Sequence, residues 1–215
     1  METSVGSSET RSERRKRLTH EQLVAAAREL LIQGGPAAVT SREVAATADV
    51  AVGTFYNHFE TVDDVIEAVV QPLRVWTIEH GQRILAADDY ADAVATWVAD
   101  FLVRLEADGR DFHAARMSNL PVLDPGDDLI SEMRDRWGDQ AAGRGIAPGA
   151  AGPVMVKLMC MCGDLYGGRP MSDGTAAHLA RMIHSANTND VDQLEREVAL
   201  TLTHRDQMRA RRGSD

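Results

Sequence analysis

Lysine occurs only twice in this 215-residue chain, at Lys16 and Lys157, and so does cysteine, at Cys160 and Cys162. Nearly all the positive charge is therefore arginine. Two cysteines are too few for a disulfide framework, which agrees with a reducing compartment. Aromatic residues make up 5% of the chain, so each position is worth locating individually. No apolar run approaches the roughly 20 residues that a membrane-spanning helix needs, and the N-terminus is polar and charged rather than basic and then apolar. These absences predict a cytoplasmic protein without a membrane partner. Enzyme signatures are lacking as well: no G-x-S-x-G, HExxH, Walker loop or dinucleotide fingerprint stands at a usable spacing. The sequence predicts no enzyme, no catalytic residue, no cofactor and no bound metal.

The formal net charge of −10 argues against a nucleic-acid partner until its distribution is read. Residues 1–60 carry seven Lys or Arg against eight Asp or Glu, and the rest carries sixteen against twenty-five. Within the first part, RSERRKR at residues 11–17 is strongly basic. Such a run either follows a phosphate backbone or is a solvated tail.

Residues 1–10 are rich in Ser, Thr, Gly and Glu and read as disordered. Thr19-His-Glu-Gln22 is a capping-box pattern that predicts the start of a first helix, with Leu23, Ala26, Ala27, Leu30 and Leu31 on its apolar stripe and Gly34, Gly35 and Pro36 ending it. Thr40 or Ser41 can cap a second, short helix with Val44 and Ala45 inward. A third short helix follows at Val52–His58. Two brief helices separated by a tight turn form the helix-turn-helix layout. Thr61 then caps a long helix in which Pro72 marks a kink or break. Beyond residue 85 the periodicity stays helical: a stripe of Val94, Trp97, Val98, Phe101, Leu102 and Leu105, a short helix at 110–120, another at 127–142, an almost wholly apolar helix at 154–166 that reads as the most buried, and two amphipathic segments around 174–185 and 190–210. No β-alternation and no fixed repeat appears, so the fold class is all-α.

The stretch VGTFYNHF at residues 52–59 carries the functional argument. A helix set into a DNA major groove needs small or polar residues at its leading end and apolar residues on its back. Phe55 and Phe59 lie one turn apart and serve as the back. Gly53 allows close approach, and Thr54, Tyr56, Asn57 and His58 present polar groups.

With these residues the chain resembles the TetR family of bacterial transcriptional regulators. The likeness runs over residues 19–70: Thr19, Ala25-Ala26-Ala27, Leu30, Gly35, Thr40-Ser41, Val44-Ala45, Val50, Gly53-Thr54 and Tyr56-Asn57-His58-Phe59. Past residue 85 only the helical architecture is shared. The resemblance implies a homodimeric repressor on a palindromic operator, released by a small-molecule inducer. Residues 1–18 would be a disordered basic arm, 19–65 a three-helix helix-turn-helix DNA-binding domain, 66–210 a larger helical ligand-binding and dimerisation domain, and 211–215 a tail. The implied DNA contacts are Thr40, Ser41, Arg42, Gly53, Thr54, Tyr56, Asn57 and His58, with Arg14, Arg15, Lys16 and Arg17 of the arm. Relatives often carry a serine where this chain has Ala51 and a lysine where it has Val62, so the arm would compensate through phosphates.

Candidates for an inducer pocket are Trp97, Phe101, Arg104, Phe112, His113, Arg116, Met117, Trp137, Met159 and Tyr166, a mixture that suits a mostly apolar molecule with one acidic group. Cys160 and Cys162 stand about 200° apart on a helix, which favours a core role over a shared metal. Met155, Met159, Cys162 and Tyr166 share a stripe that lines either a core, a pocket or a dimer seam, and Lys157 and Asp164 share a face. In the resembled family the last two major helices form the dimer's four-helix bundle, which implies an interface within 150–166 and 174–210. The competing reading is a regulator controlled by a partner protein or by oxidation of the two cysteines.

Overall fold

The structure, a computed structural model, describes residues 10–118, 120, 135, 151–166, 168–186 and 188–212, with the backbone alone for 151–157 and 164. Among the described residues there are nine α-helices and no strand: α1 (Arg11–Gly34), α2 (Ser41–Thr47), α3 (Val52–Tyr56), α4 (Val62–Ala86), α5 (Tyr90–Asp108), α6 (Arg110–Ser118), α7 (Ala151–Tyr166), α8 (Asp173–His184) and α9 (Val191–Arg212). None of these helices is long and apolar enough to cross a membrane. The chain divides into two compact units, with the boundary between Val69 and Val70.

The first unit begins earlier than the sequence predicts. α1 starts at Arg11, capped by Thr10, whose hydroxyl accepts from the Glu13 N–H at 3.2 Å while the Thr10 N–H donates to the Glu13 carboxylate at 2.8 Å. Thr19 is therefore mid-helix, and its hydroxyl donates to the Arg15 carbonyl at 3.0 Å. The basic run is part of a helix rather than a disordered arm. Two capping boxes compete in the sequence, and the earlier one wins because the Arg and Glu residues between them favour helix. Arg17 and Glu21, one turn apart, add an ion pair at 2.8 Å.

Leu23, Ala26, Ala27 and Leu31 of α1 are buried as their spacing predicts, and Leu30 is half-buried. Thr40 rather than Ser41 caps α2, accepting from the Glu43 N–H at 3.2 Å. Between α2 and α3 the chain turns at Asp49, whose φ of 54° lies in the left-handed region that Asp tolerates better than most residues. α3 stops at Tyr56, two residues before the predicted end. Thr61 and Asp64 form a reciprocal box at the start of α4, and α4 runs through Pro72 without a break.

In the second unit α5 packs along α9, α6 against α7, and α8 against α9. Its core gathers Trp76, Trp97, Phe101, Phe112, Met159 and Cys162. α7 begins at Ala151, three residues earlier than its apolar run suggests, with Pro153 inside its first turn, where a missing N–H costs nothing. It is not buried all round: Met161 and Leu165, one turn apart, are 51% and 63% exposed in the single chain. The helix predicted at 127–142, with Trp137, lies outside the described residues except for Asp135, as do the side chains of Met155, Lys157 and Asp164. α9 extends to Arg212, into the predicted tail.

α7 approaches α6 closely at Gly163. A Cβ there would stand 2.8 Å from the His113 backbone nitrogen and 2.8 Å from Phe112 Cβ. Gly163→Ala is expected to lower stability by about 1–3 kcal/mol through overpacking against backbone that cannot yield. An unchanged thermal midpoint would contradict this packing.

His80 is buried beside Trp76, with Nδ1 2.9 Å from the Trp76 carbonyl, so Nδ1 carries the proton. Nε2 lies 3.4 Å from the Arg83 guanidinium and 3.5 Å from Asp100. Burial holds the imidazole pKa below its usual value, against the upward pull of the Trp76 carbonyl and Asp100. The folded state thus binds fewer protons at His80 than the unfolded chain. The stability from neutral His80 is complete above about pH 6.5 and is lost as pH falls through the depressed folded value. Thermal melts are expected to show a steeper decline between pH 7.5 and 5.5 for the native chain than for His80→Gln; parallel declines would refute this.

Candidate nucleic-acid interface

α3 has five residues and its N-cap, Ala51, makes no side-chain cap bond. A helix this short does not hold itself, so its position comes from packing. Phe55 is fully buried and Phe59 nearly so, with ring centroids 5.7 Å apart. His20 of α1 stacks on Phe59 at 4.8 Å. With the back of α3 fixed in this way, the remaining positions are set outward.

Thr40, Arg42, Gly53, Tyr56 and Asn57 are exposed, while Ser41, Thr54 and His58 are half-buried. A Cβ built on Gly53 meets nothing within 4 Å, so the fold itself does not demand glycine there. The Thr40 hydroxyl, accepting from Glu43, still carries a proton to donate. Tyr56 is 57% exposed, yet its ring sits edge-on to Phe55 at 5.3 Å and its hydroxyl lies 3.0 Å from Ser41 Oγ.

Arg14, Arg15, Lys16 and Arg17 are all exposed on the first turns of α1. Lys16 and His20 are one turn apart, and His20 lies 5.9 Å from His58, ring to ring. Partial burial lowers the His58 pKa, and the positive charges of His20 and Lys16 lower it further. Three cationic or potentially cationic groups thus converge beside α3. The sequence reading missed His20, because the signal is a contact across thirty-eight residues; its place one turn after Lys16 was the only local clue.

The residues proposed for an inducer are divided in the second unit. Trp97, Phe112 and Met159 line a narrow gap, too small to admit a water, together with Leu73, Trp76, Thr77 and Cys160, which their sequence positions do not mark for this role. Phe101 is buried against Phe112 at 5.0 Å, behind the gap. Arg104 pairs with Asp111 at 3.0 Å and lies over the Trp76 ring at 5.7 Å. His113, Arg116, Met117 and Tyr166 are half-buried and do not line it. Cys160 and Cys162 form no disulfide and are both buried, and burial together with Cys160 pushes the Cys162 thiol up to about 11. A thiol so far from ionisation is a poor nucleophile toward oxidants.

Residues 23–69 match the family model described as "Bacterial regulatory proteins, tetR family". No curated protein sequence matches the chain significantly. Two solved structures, each described as a gamma-butyrolactone receptor (ArpA-like protein), share its fold. One is 18% identical with a TM-score of 0.58, the other 20% identical with a TM-score of 0.57, and each alignment covers 90% of this chain and 98% of the other. The matched segment spans the second half of α1, all of α2 and α3 and the start of α4, the helices that set Tyr56 and Asn57 outward, and residues 23–69 are a DNA-binding segment of the TetR family.

Proposed function

We propose that the chain is a repressor that binds a two-fold symmetric operator as a homodimer and leaves it when a small, mostly apolar molecule enters the second unit. The observation that carries the DNA half is the split of α3: Phe55 and Phe59 are spent on the core, while Tyr56 and Asn57 stand in solvent beside an unobstructed Gly53. The exposed Tyr56 and Asn57 at the end of so short a helix present polar groups that the core does not take up. They match the base edges and phosphates of a major groove, and the α1 cations match the backbone alongside.

Two further observations support the rest. Met161 and Leu165 give α7 an exposed apolar ridge, which suits a seam between two copies of the chain. The gap between Trp76, Trp97 and Phe112 has an apolar and aromatic lining whose one hydroxyl, on Thr77, already donates to the Leu73 carbonyl. Arg104 is engaged elsewhere, so the acidic group expected from sequence loses its cation and a neutral molecule fits better. The gap has no room even for a water, far below the ~300–1,000 Å³ usual for small-molecule sites, so a ligand must open it. That opening is the step through which binding would change the shape of the second unit. The two fold relatives bear the name of receptors for gamma-butyrolactones, and alkyl-substituted lactones, neutral and largely apolar, are the first class to test.

A duplex selected by the protein from a random pool serves as probe. Tyr56→Ala is expected to abolish specific binding while leaving the helical circular dichroism unchanged; retained affinity would overturn the α3 assignment. Replacing Arg14, Arg15, Lys16 and Arg17 with glutamine is expected to reduce the slope of log affinity against log salt by about 0.9 for each phosphate no longer neutralised. An unchanged slope would remove the α1 cations from the interface.

An alkyl-substituted gamma-butyrolactone is expected to release the selected duplex in a gel shift, and hydrogen peroxide to leave it bound. Release by peroxide alone would favour control through the cysteines.

A further inference from the structure

We propose that Ser41 is a positioning residue for DNA recognition, acting through Tyr56 rather than by touching DNA itself. The proposal rests on the DNA-binding reading above and adds a coupling between α2 and α3 within it. Ser41 is the first residue of α2 and is spared from capping, because Thr40 supplies the oxygen that accepts from Glu43 N–H. Its hydroxyl lies 3.0 Å from the Tyr56 hydroxyl at the far end of α3. Tyr56 is 57% exposed, so the core does not fix its outer end. The Phe55 ring fixes one edge at 5.3 Å and 86°, and Ser41 fixes the hydroxyl. The only exposed ring on α3 is thereby held before any partner arrives, and the entropy of ordering it is not charged against binding.

The bond also has a direction that matters. Each hydroxyl has one proton, and the two share one bond. When Ser41 donates to Tyr56 Oη, the tyrosine proton is left to point outward as a donor. Phosphate oxygens, guanine O6 and N7 and thymine O4 are all acceptors, so DNA selects this arrangement. Alanine at 41 frees the ring and removes the donor that orients its proton.

The test is a double-mutant cycle on two probes: the duplex selected by the native protein, and a random-sequence duplex of the same length. Ser41→Ala and Tyr56→Phe are each expected to weaken binding to the selected duplex about five- to tenfold, in line with the loss of one hydrogen bond. The double variant is expected to be no weaker than the weaker single, and Ser41→Thr to restore native affinity. Thermal midpoints should be unchanged, since both hydroxyls face solvent. A loss shared by the random duplex assigns the acceptor to phosphate, and a loss confined to the selected duplex assigns it to a base; either supports the coupling. Multiplying losses in the double variant, or native affinity in Ser41→Ala, would overturn it while leaving the DNA-binding reading intact. Failure of the native protein to bind either duplex would overturn both.

Discussion

The burial of Phe55 and Phe59 is the interaction on which the outward face of α2 and α3 depends. Five residues of helix, without a side-chain cap at Ala51, make too few backbone bonds to persist alone. Two aromatic side chains in the core supply what the backbone does not, at about 1.5–3 kcal/mol each for full burial. Because the two rings fall one turn apart, their burial also fixes the rotation of α3 about its axis. Tyr56, Asn57 and Gly53 face outward as a geometric result of where Phe55 and Phe59 go inward. The Thr40 cap, the left-handed turn at Asp49 and the Thr61–Asp64 box then set where the neighbouring helices begin and end.

The second unit solves a different problem, joining long helices through a few buried polar groups. Arg205 of α9 is fully buried and reaches Glu106 of α5 at 2.7 Å, Asp173 of α8 at 2.9 Å and the Met171 carbonyl at 3.0 Å. His184 of α8 is equally buried, 2.8 Å from Thr201 and 3.2 Å from Glu197, both on α9. Groups of this kind are expensive to desolvate and contribute less to stability than to fixing which helix meets which. The aromatic cluster of Trp76, Trp97 and Phe112, from α4, α5 and α6, carries no charge of its own, and the Trp76 Nε1–H donates to Asp100 at 2.7 Å.

Much of this was legible in the sequence, and the failures have identifiable causes. Helical periodicity placed α5 and α8 closely because apolar stripes mark them, and the structure shows Asp89 capping α5. The start of α1 was misplaced because its first three turns carry no apolar stripe to be counted, only a cap at Thr10 and a run of charge. The divided role of VGTFYNHF was readable because its apolar and polar positions separate by helical geometry alone. The gap lining was half readable: Trp97, Phe112 and Met159 announce themselves by size and stripe, whereas Trp76 and Thr77 acquire their role only from what α5 and α6 bring opposite them. The Ser41–Tyr56 and His20–His58 contacts cross fifteen and thirty-eight residues and have no local signature. Met161 and Leu165 mislead in the other direction, since an apolar residue reads as buried until the packing shows which side of α7 is left uncovered.

The central claim is that the outward face of α2 and α3 reads a major groove. Methylation interference on the selected duplex tests it most directly, because dimethyl sulfate marks guanine N7 in the major groove and adenine N3 in the minor groove in one experiment. The account predicts that guanine N7 methylation blocks binding in two clusters about one helical turn, ~34–36 Å, apart or somewhat more. Interference confined to adenine N3, with guanine N7 methylation tolerated throughout, would contradict it.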